Sequence, residues 1–287
     1  MKNIMGHTLS VILRKGGSLR DLHRFFDEKQ NTDLLQYGQS SADDQDRAFF
    51  NGEFLDKNLQ VSTNGIRSRL GLLLQNQTFR NISTGKSTID LGKAIKDKKL
   101  IVFNLSKGVL TRDYSAFFGK LIVSLILIEA MRNASNIENE KHRPQVDMFI
   151  DEFQNYITPA VGEIVAEARA YGVRLTVATQ LIGQGMEKTL ERLILTNTDT
   201  KIIGWSSQEN RQAMSGQFGM KADELETHKR TFWVKIADGS PLKVKTSSRL
   251  AGHANAMSDE QWEQVKAYQS KYYRKPTTHE PKPSGTV

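Results

Sequence analysis

The chain has no cysteine, which excludes disulfides, thiolate metal centres and cysteine nucleophiles. Histidine is scarce too: six residues, scattered and never spaced His-x-x-x-His, so the usual ligand pattern of a catalytic zinc is missing. No run is long enough to span a bilayer. The best stretch, Leu121 to Met131, holds about eleven residues with Glu129 inside it and Lys120 at its edge, against roughly 20 for a span. It reads as a buried core helix. Met1 to Arg14 is interrupted by His7 and has no small-residue cleavage site, so it is not read as a signal peptide. What is present is an ordinary soluble balance, 38% hydrophobic and 25% charged, in 287 residues, enough for one large or two modest domains. The net charge of +8 fits contact with nucleic acid or an anionic surface without requiring either.

The stretch around which the rest is organised is Val146 to Gln154, where an apolar run stops at adjacent carboxylates, Asp151 and Glu152. Such a run suits a strand buried on both faces of a parallel sheet. Ligand chemistry in such sheets sits beyond the carboxyl ends of the strands. On a strand the two acids point to opposite faces. That division suits nucleotide hydrolysis, in which one carboxylate holds Mg²⁺ and the next polarises the attacking water. A strand end whose acids merely face solvent or cap the next turn would look the same.

Upstream, Ser18 to Asp21 has the spacing of a capping box, followed by Leu19, Leu22, Phe25 and Phe26 on one helical face. Residues 31–58 are polar and read as loops and short helices, and a helix is expected over 62–75, with Arg67 and Arg69 opposite its apolar side. Residues 1–98 are therefore expected to be a mainly helical segment. From Lys99 the texture changes: Leu100 to Leu105 is expected as a buried strand, 114–131 as a helix, 159–171 as a helix ended by Gly172, and 173–179 as a strand closed by Gln180. A helix over 186–196, a strand over 200–205 and a helix over 207–218 come next. This alternation predicts an α/β domain over 99–250 with a mostly parallel sheet. Thr231 to Ile236 and Leu242 to Thr246 read as a hairpin. In 251–287, Ser258 to Gln261 opens a last helix, and the proline-containing end, 276–287, reads as disordered.

Parallel strands in sequence place Asp151, Glu152 and Gln180 at one end of the sheet. A glutamine there can hydrogen-bond a terminal phosphate or the attacking water; a polar residue starting a loop is the plainer reading. The helix before the second strand runs back along the sheet for about 20 Å and carries Arg169 away from these acids. Arg169 then reaches phosphate only in a neighbouring subunit, or is a solvated cation at a helix end.

The ordered series Asp-Met-Phe-Ile-Asp-Glu-Phe-Gln-Asn-Tyr, Ala-Glu-Ala-Arg-Ala-Tyr-Gly, Val-Ala-Thr-Gln and Leu-Thr-Asn-Thr resembles the conjugative coupling-protein ATPases of the TraG/TraD/VirD4 type, relatives of the HerA and FtsK motors. The resemblance extends weakly from Ser18 to about Phe218. It implies a RecA-like P-loop core in a hexameric ring, using ATP and Mg²⁺ to pass DNA, or a relaxase-DNA complex, to a type IV secretion channel. It also implies a cytoplasmic location at the inner membrane. Carried over, Asp151 and Glu152 become the Walker B pair, with Asp151 the metal and nucleotide ligand. Gln180 becomes the sensor and Arg169 the finger in trans.

One part of the family pattern is missing. A phosphate loop needs Gly-x-x-x-x-Gly-Lys-[Ser/Thr] after a buried strand, yet Gly85-Lys86-Ser87-Thr88 has Arg80 where the first glycine belongs. It reads as a decoy, and the phosphate loop and membrane anchor are expected on an upstream segment outside this sequence. Two other readings stay open. One is an ATPase-inactive DNA-binding or scaffold subunit; the other is a self-contained P-loop NTPase using Gly85 to Thr88. Arg67, Arg69 and Arg80 are the candidate DNA-facing cations, though solvated helix faces look the same.

Overall fold

The computed structural model describes residues 2–84, 87–108, 110–135, 143–157, 162, 167–180, 182, 186–247 and 256–273. By internal contacts the chain divides into two units, Met1–Ser87 and Thr88–Val287.

The first unit is helical: α1 (Lys2–Arg14), α2 (Leu19–Phe25), α3 (Thr32–Gln39), α4 (Asp44–Asn51), α5 (Gln60–Gln75) and α6 (Gln77–Ser83). The capping box forms, Ser18 N–H donating to Asp21 at 2.9 Å, and Asp43 caps α4 by accepting from the N–H groups of Gln45 and Asp46. Apolar faces of these helices meet over Phe25, Phe49 and Phe50, with Leu22, Leu34, Ile66 and Leu70 around them. Gly38 is needed here: a Cβ would sit 2.6 Å from the Phe50 ring. Helix α1, read from sequence only as lacking the marks of a signal peptide, packs Ile4, Val11 and Ile12 into this core.

The second unit begins with α7 (Leu91–Lys96) and the long α8 (Arg112–Ser135). By length and composition α8 meets the criteria for a membrane span. Its Val123, Leu127 and Ala130, however, pack against Met148, Ile150 and Phe153, as a core helix does. Next come β1 (Val146–Ile150) and β2 (Val173–Val177), then α9 (Lys188–Asn197), β3 (Thr200–Ile203), α10 (Gln208–Phe218), β4 (Thr231–Ile236), β5 (Leu242–Lys245) and α11 (Asp259–Tyr273).

The expected single parallel sheet is not what forms among the described residues. β1 and β2 make a two-stranded parallel sheet, while β3, β4 and β5 make a separate three-stranded antiparallel one. The hairpin is present, Val234 opposite Leu242, but it recruits β3, with Ile203 opposite Trp233. Apolar alternation identifies a strand and not its partner, which is a tertiary choice. Leu100 to Leu105 is not a strand at all: Leu100 is 93% and Val102 82% exposed. A strand needs a neighbouring backbone to satisfy its N–H and C=O groups, and among the described residues none is paired with it. This is an α/β fold with a small parallel sheet, short of a full RecA core.

The helix expected over 159–171 falls largely outside the described residues. Its described end, Ala168–Tyr171, is a 3-10 turn closed by Gly172 at φ 78°. A Cβ on Gly172 would lie 2.9 Å from the Pro144 carbonyl oxygen. Residues 276–287 also lie outside the described set.

Candidate functional site

The parallel pair is in strict register, Val146 opposite Val173 through Ile150 opposite Val177. The pairing continues past both strands: Ala178 N–H donates to Ile150 O at 2.9 Å and Phe153 N–H to Ala178 O at 3.1 Å. The two carboxyl ends are thereby stitched together, and the residues just beyond them are forced into proximity.

Asp151 and Glu152 lie in the turn beyond β1, not on the strand. Their divergence comes from a left-handed residue, Glu152 at φ 49°, ψ 44°, rather than from pleat alternation. A non-glycine residue held there costs of order 1 kcal/mol or more and survives only where surrounding contacts fix it. Those contacts are present. Gln180 donates from Nε2 to Glu152 Oε1 at 2.5 Å, Gln154 donates to Glu152 Oε2 at 2.6 Å, and Asn155 donates to the Glu152 carbonyl at 3.1 Å. A carboxylate has about four lone-pair positions, so two side-chain donors leave Glu152 able to accept from a water.

Gln180 is itself anchored. Asn210, in the first turn of α10, donates to the Gln180 carbonyl at 2.9 Å and accepts from the Ile182 N–H at 3.2 Å. Sequence reasoning missed Gln154 and Asn210. Gln154 sat two residues from the acids, inside the same motif. Asn210 had no local signal, because only the tertiary fold brings α10 beside the end of β2.

Asp151 is exposed, and its Oδ1 accepts the Glu152 N–H at 3.0 Å. A Mg²⁺ held mainly through phosphates needs only one or two protein carboxylates, and Asp151 fits that part. Among the described residues no group of three or more His, Asp or Glu could hold a metal with protein ligands alone.

Arg169 is not with these residues. It lies before β2, at the other end of the sheet, its side chain 90% exposed, with Asp199 at 3.9 Å. Gly85 and Lys86 lie outside the described residues. Their flanks are helices, α6 before and α7 after, where a phosphate loop would have a strand before it. Two of the arginines considered for DNA are occupied. Arg67 donates to the nearly buried Asp27 at 2.6 Å. Arg80 donates to the Leu74 and Gln75 carbonyls at 2.6 and 2.8 Å, closing the end of α5.

Comparison with known proteins adds to this geometry. Residues 145–270 match a family described as the TraM recognition site of TraD and TraG. Among solved structures the chain is similar to the bacterial conjugative coupling protein TrwBdeltaN70, with a TM-score of 0.60 at 12% identity, over 84% of this chain and 60% of that one. A likeness at that identity is one of fold, and the chain spans less than two thirds of that protein. The cytoplasmic domain of the type VII secretion ATPase EccC of Thermomonospora curvata gives a TM-score of 0.36 at 20% identity, over 51% of this chain and 19% of that one, too low to carry an argument. No curated protein matches significantly.

Proposed function

We propose, from a chain whose residues 145–270 belong to the TraG/TraD coupling-protein family, that it is the C-terminal portion of an ATP-driven DNA translocase. In this reading a homo-hexameric ring feeds DNA, or a relaxase-DNA complex, to a type IV secretion channel from the cytoplasmic side of the inner membrane. The family's description also motivates a docking role for 145–270 toward a TraM-like protein on the DNA. Residues 1–98 are a helical insertion of the motor, 99–250 its α/β body and 251–287 a C-terminal helix and tail.

The observation that carries the reading is the Gln180 amide on the Glu152 carboxylate at the carboxyl end of a parallel pair. Mg-ATP, when bound, supplies the phosphoryl group. Asp151 is the carboxylate that would ligate the cation. Glu152 keeps lone pairs free to orient and polarise a water, and Gln154 fixes the direction in which it does so. Gln180 has a second N–H for a phosphate oxygen, so one amide links the state of the phosphate to the position of Glu152. Arg169, far from these groups in its own chain, would serve a neighbour's site.

Gly85 to Thr88 has the wrong flanks for a phosphate loop, so that element is assigned to a segment outside this sequence. Without it, amides that wrap phosphate and the lysine charge are missing. The chain by itself should therefore turn over ATP poorly. The test is turnover by the chain supplied with a phosphate-loop segment, comparing wild type with Glu152→Gln. Loss of a positioned base costs about 10²-fold or more in turnover, while nucleotide binding should persist. Robust turnover by the chain alone, abolished by Lys86→Ala, would instead favour the self-contained NTPase.

A further inference from the structure

Gln180 sits just past the point where the parallel pair holds the chain. Among the described residues, the last backbone bonds joining the ends of β1 and β2 are those of Ala178, to Ile150 and from Phe153. Two residues further on, Gln180 is exposed, and its side chain crosses to Glu152. A long exposed side chain loses rotamer freedom when it is held in one direction. Its hydrogen bond therefore keeps a fixed aim only if the backbone beneath it is fixed.

Helix α10 supplies that hold. Asn210 lies three residues after the cap Ser207, whose hydroxyl oxygen accepts the Asn210 N–H at 3.4 Å. A glutamate or glutamine at this place would reach back to the cap. The shorter Asn210 turns both ends of its carboxamide out of its own helix. Its Nδ2 donates to the Gln180 carbonyl at 2.9 Å and its Oδ1 accepts the Ile182 N–H at 3.2 Å. One side chain thus fixes two peptide groups, one on each side of the residue between them.

The same segment is held by packing. Ile182 packs against the apolar cluster of Ile203, Met214, Phe218 and Leu225, in which Trp233 of β4 also takes part. α10 enters that cluster through Met214 and Phe218, and Lys235 of β4 donates to the Gln217 carbonyl in its last turn at 2.9 Å. Residues 180 and 182 are therefore tied to α10 by two polar bonds and one apolar contact, and α10 is tied to β4. The chain of contacts from the antiparallel sheet to the Gln180 amide is continuous.

We infer that Asn210 is a positioning residue for hydrolysis, setting the direction of the Gln180 amide toward Glu152 so that α10 and the antiparallel sheet carry the sensor. The inference rests on the reading that Glu152 and Gln180 serve hydrolysis. It adds that β3–β4–β5 is part of the hydrolytic apparatus, because a shift of α10 on β4 moves Gln180 relative to Glu152.

The test begins without nucleotide. In Asn210→Ala the Ile182 N–H should exchange with solvent roughly 5-fold faster, as expected for one lost hydrogen bond, while amides in the second half of α10 keep their protection. With the phosphate-loop segment supplied, Asn210→Ala should lower kcat about 10-fold by misplacing a reacting group and leave KM for ATP within about 2-fold. Placed in a Gln180→Ala background it should cost nothing further, since its effect passes through Gln180. Asn210→Asp gives a signature that a purely structural role would not. An ionised carboxylate cannot donate to the Gln180 carbonyl, whereas the protonated acid both donates and accepts as the amide does. Its turnover relative to wild type should therefore rise as pH falls from about 8 to about 5. Taking that ratio cancels the titration of Glu152 and of Glu209 and Arg211 beside Asn210. Unchanged Ile182 exchange, a full additive loss in the Gln180→Ala background, or a flat Asn210→Asp ratio would each overturn the inference. Turnover lost in Gln180→Ala but kept in Asn210→Ala would overturn it alone; turnover kept in Gln180→Ala would remove the hydrolysis reading as well.

Discussion

The two units use the same kinds of residue and end in opposite conditions. In the helical unit the apolar side chains close on themselves: Phe25 and Phe50 are 0% exposed, and their rings pack with Phe54 at 5.3–5.5 Å. Several of its charges are paired as well. The nearly buried Asp46 meets His7, Ser10 and Arg14, and Arg24 with Lys15 holds Asp33. In the α/β unit one side of each sheet is packed and part of the other is bare. Met148 and Ile150 are inside while Phe149 between them is 77% exposed, and Trp205 is 78% exposed. Large apolar side chains left in water on one side of a sheet mark a surface for interaction when they cluster. The first unit is built to be complete; the second is built to be completed by other surfaces.

That contrast can be broken by substitution. The largest effect should come from Phe50→Ala, which empties a fully buried aromatic position and should cost about 3–5 kcal/mol. Denaturant melting followed by a probe in residues 1–87 would detect it, and a loss below about 1 kcal/mol would mean the closed core is not tight. Next, Gly119→Ala tests the packed side of the α/β unit. Its Cβ would lie 2.1 Å from the Tyr156 ring, and overpacking of this kind costs about 1–3 kcal/mol. A neutral result would show that Tyr156 moves freely. The smallest effect should be that of Phe149→Ser, within about 0.5 kcal/mol because the side chain is already in water. A large loss there would mean the face is covered in the free chain and would remove half of the contrast.

Acid should bear on the helical unit more, through two lowered carboxyls against one, Glu209, in the α/β unit. The Arg24 hydrogen bond, then that of Lys15, holds the Asp33 carboxyl well below its ordinary range, and the Asp46 N–H together with other donors lowers Asp43. A carboxylate whose pKa is lower folded than unfolded adds stability above the unfolded value, about 3.9. That stability is lost as pH falls toward the folded value. The helical unit should therefore weaken below about pH 4, and Asp33→Asn should flatten the slope. Both acids are exposed, so salt should shrink the effect; an unchanged slope in Asp33→Asn would show that the ion pair contributes nothing.

Much of this was legible in the sequence where the signal is local. The capping boxes at Ser18 and Ser258, the stop at Gly172 and the acid-ended strand β1 each depend on residues within a few positions of one another. The meeting of Glu152 with Gln180 was also legible, because consecutive parallel strands end on one side. Features that depended on partner choice were not. Residues 100–105 have a strand's composition and no strand described beside them, and β3 turned to the hairpin instead of extending the parallel pair. Asn210 reaches Gln180 only through the packing of α10, and Arg67 met Asp27 across forty residues, which no helical-face argument could anticipate.

The central claim is that hydrolytic chemistry sits on Glu152 and Gln180, not on Gly85 to Thr88. The most direct measurement is ATP turnover by the chain supplied with a phosphate-loop segment, comparing Gln180→Ala with Lys86→Ala. The account predicts a fall of about 10²-fold for Gln180→Ala, the size expected when a group positioned for proton or phosphoryl transfer is lost, and no change for Lys86→Ala. Turnover that survives Gln180→Ala and vanishes in Lys86→Ala would contradict it.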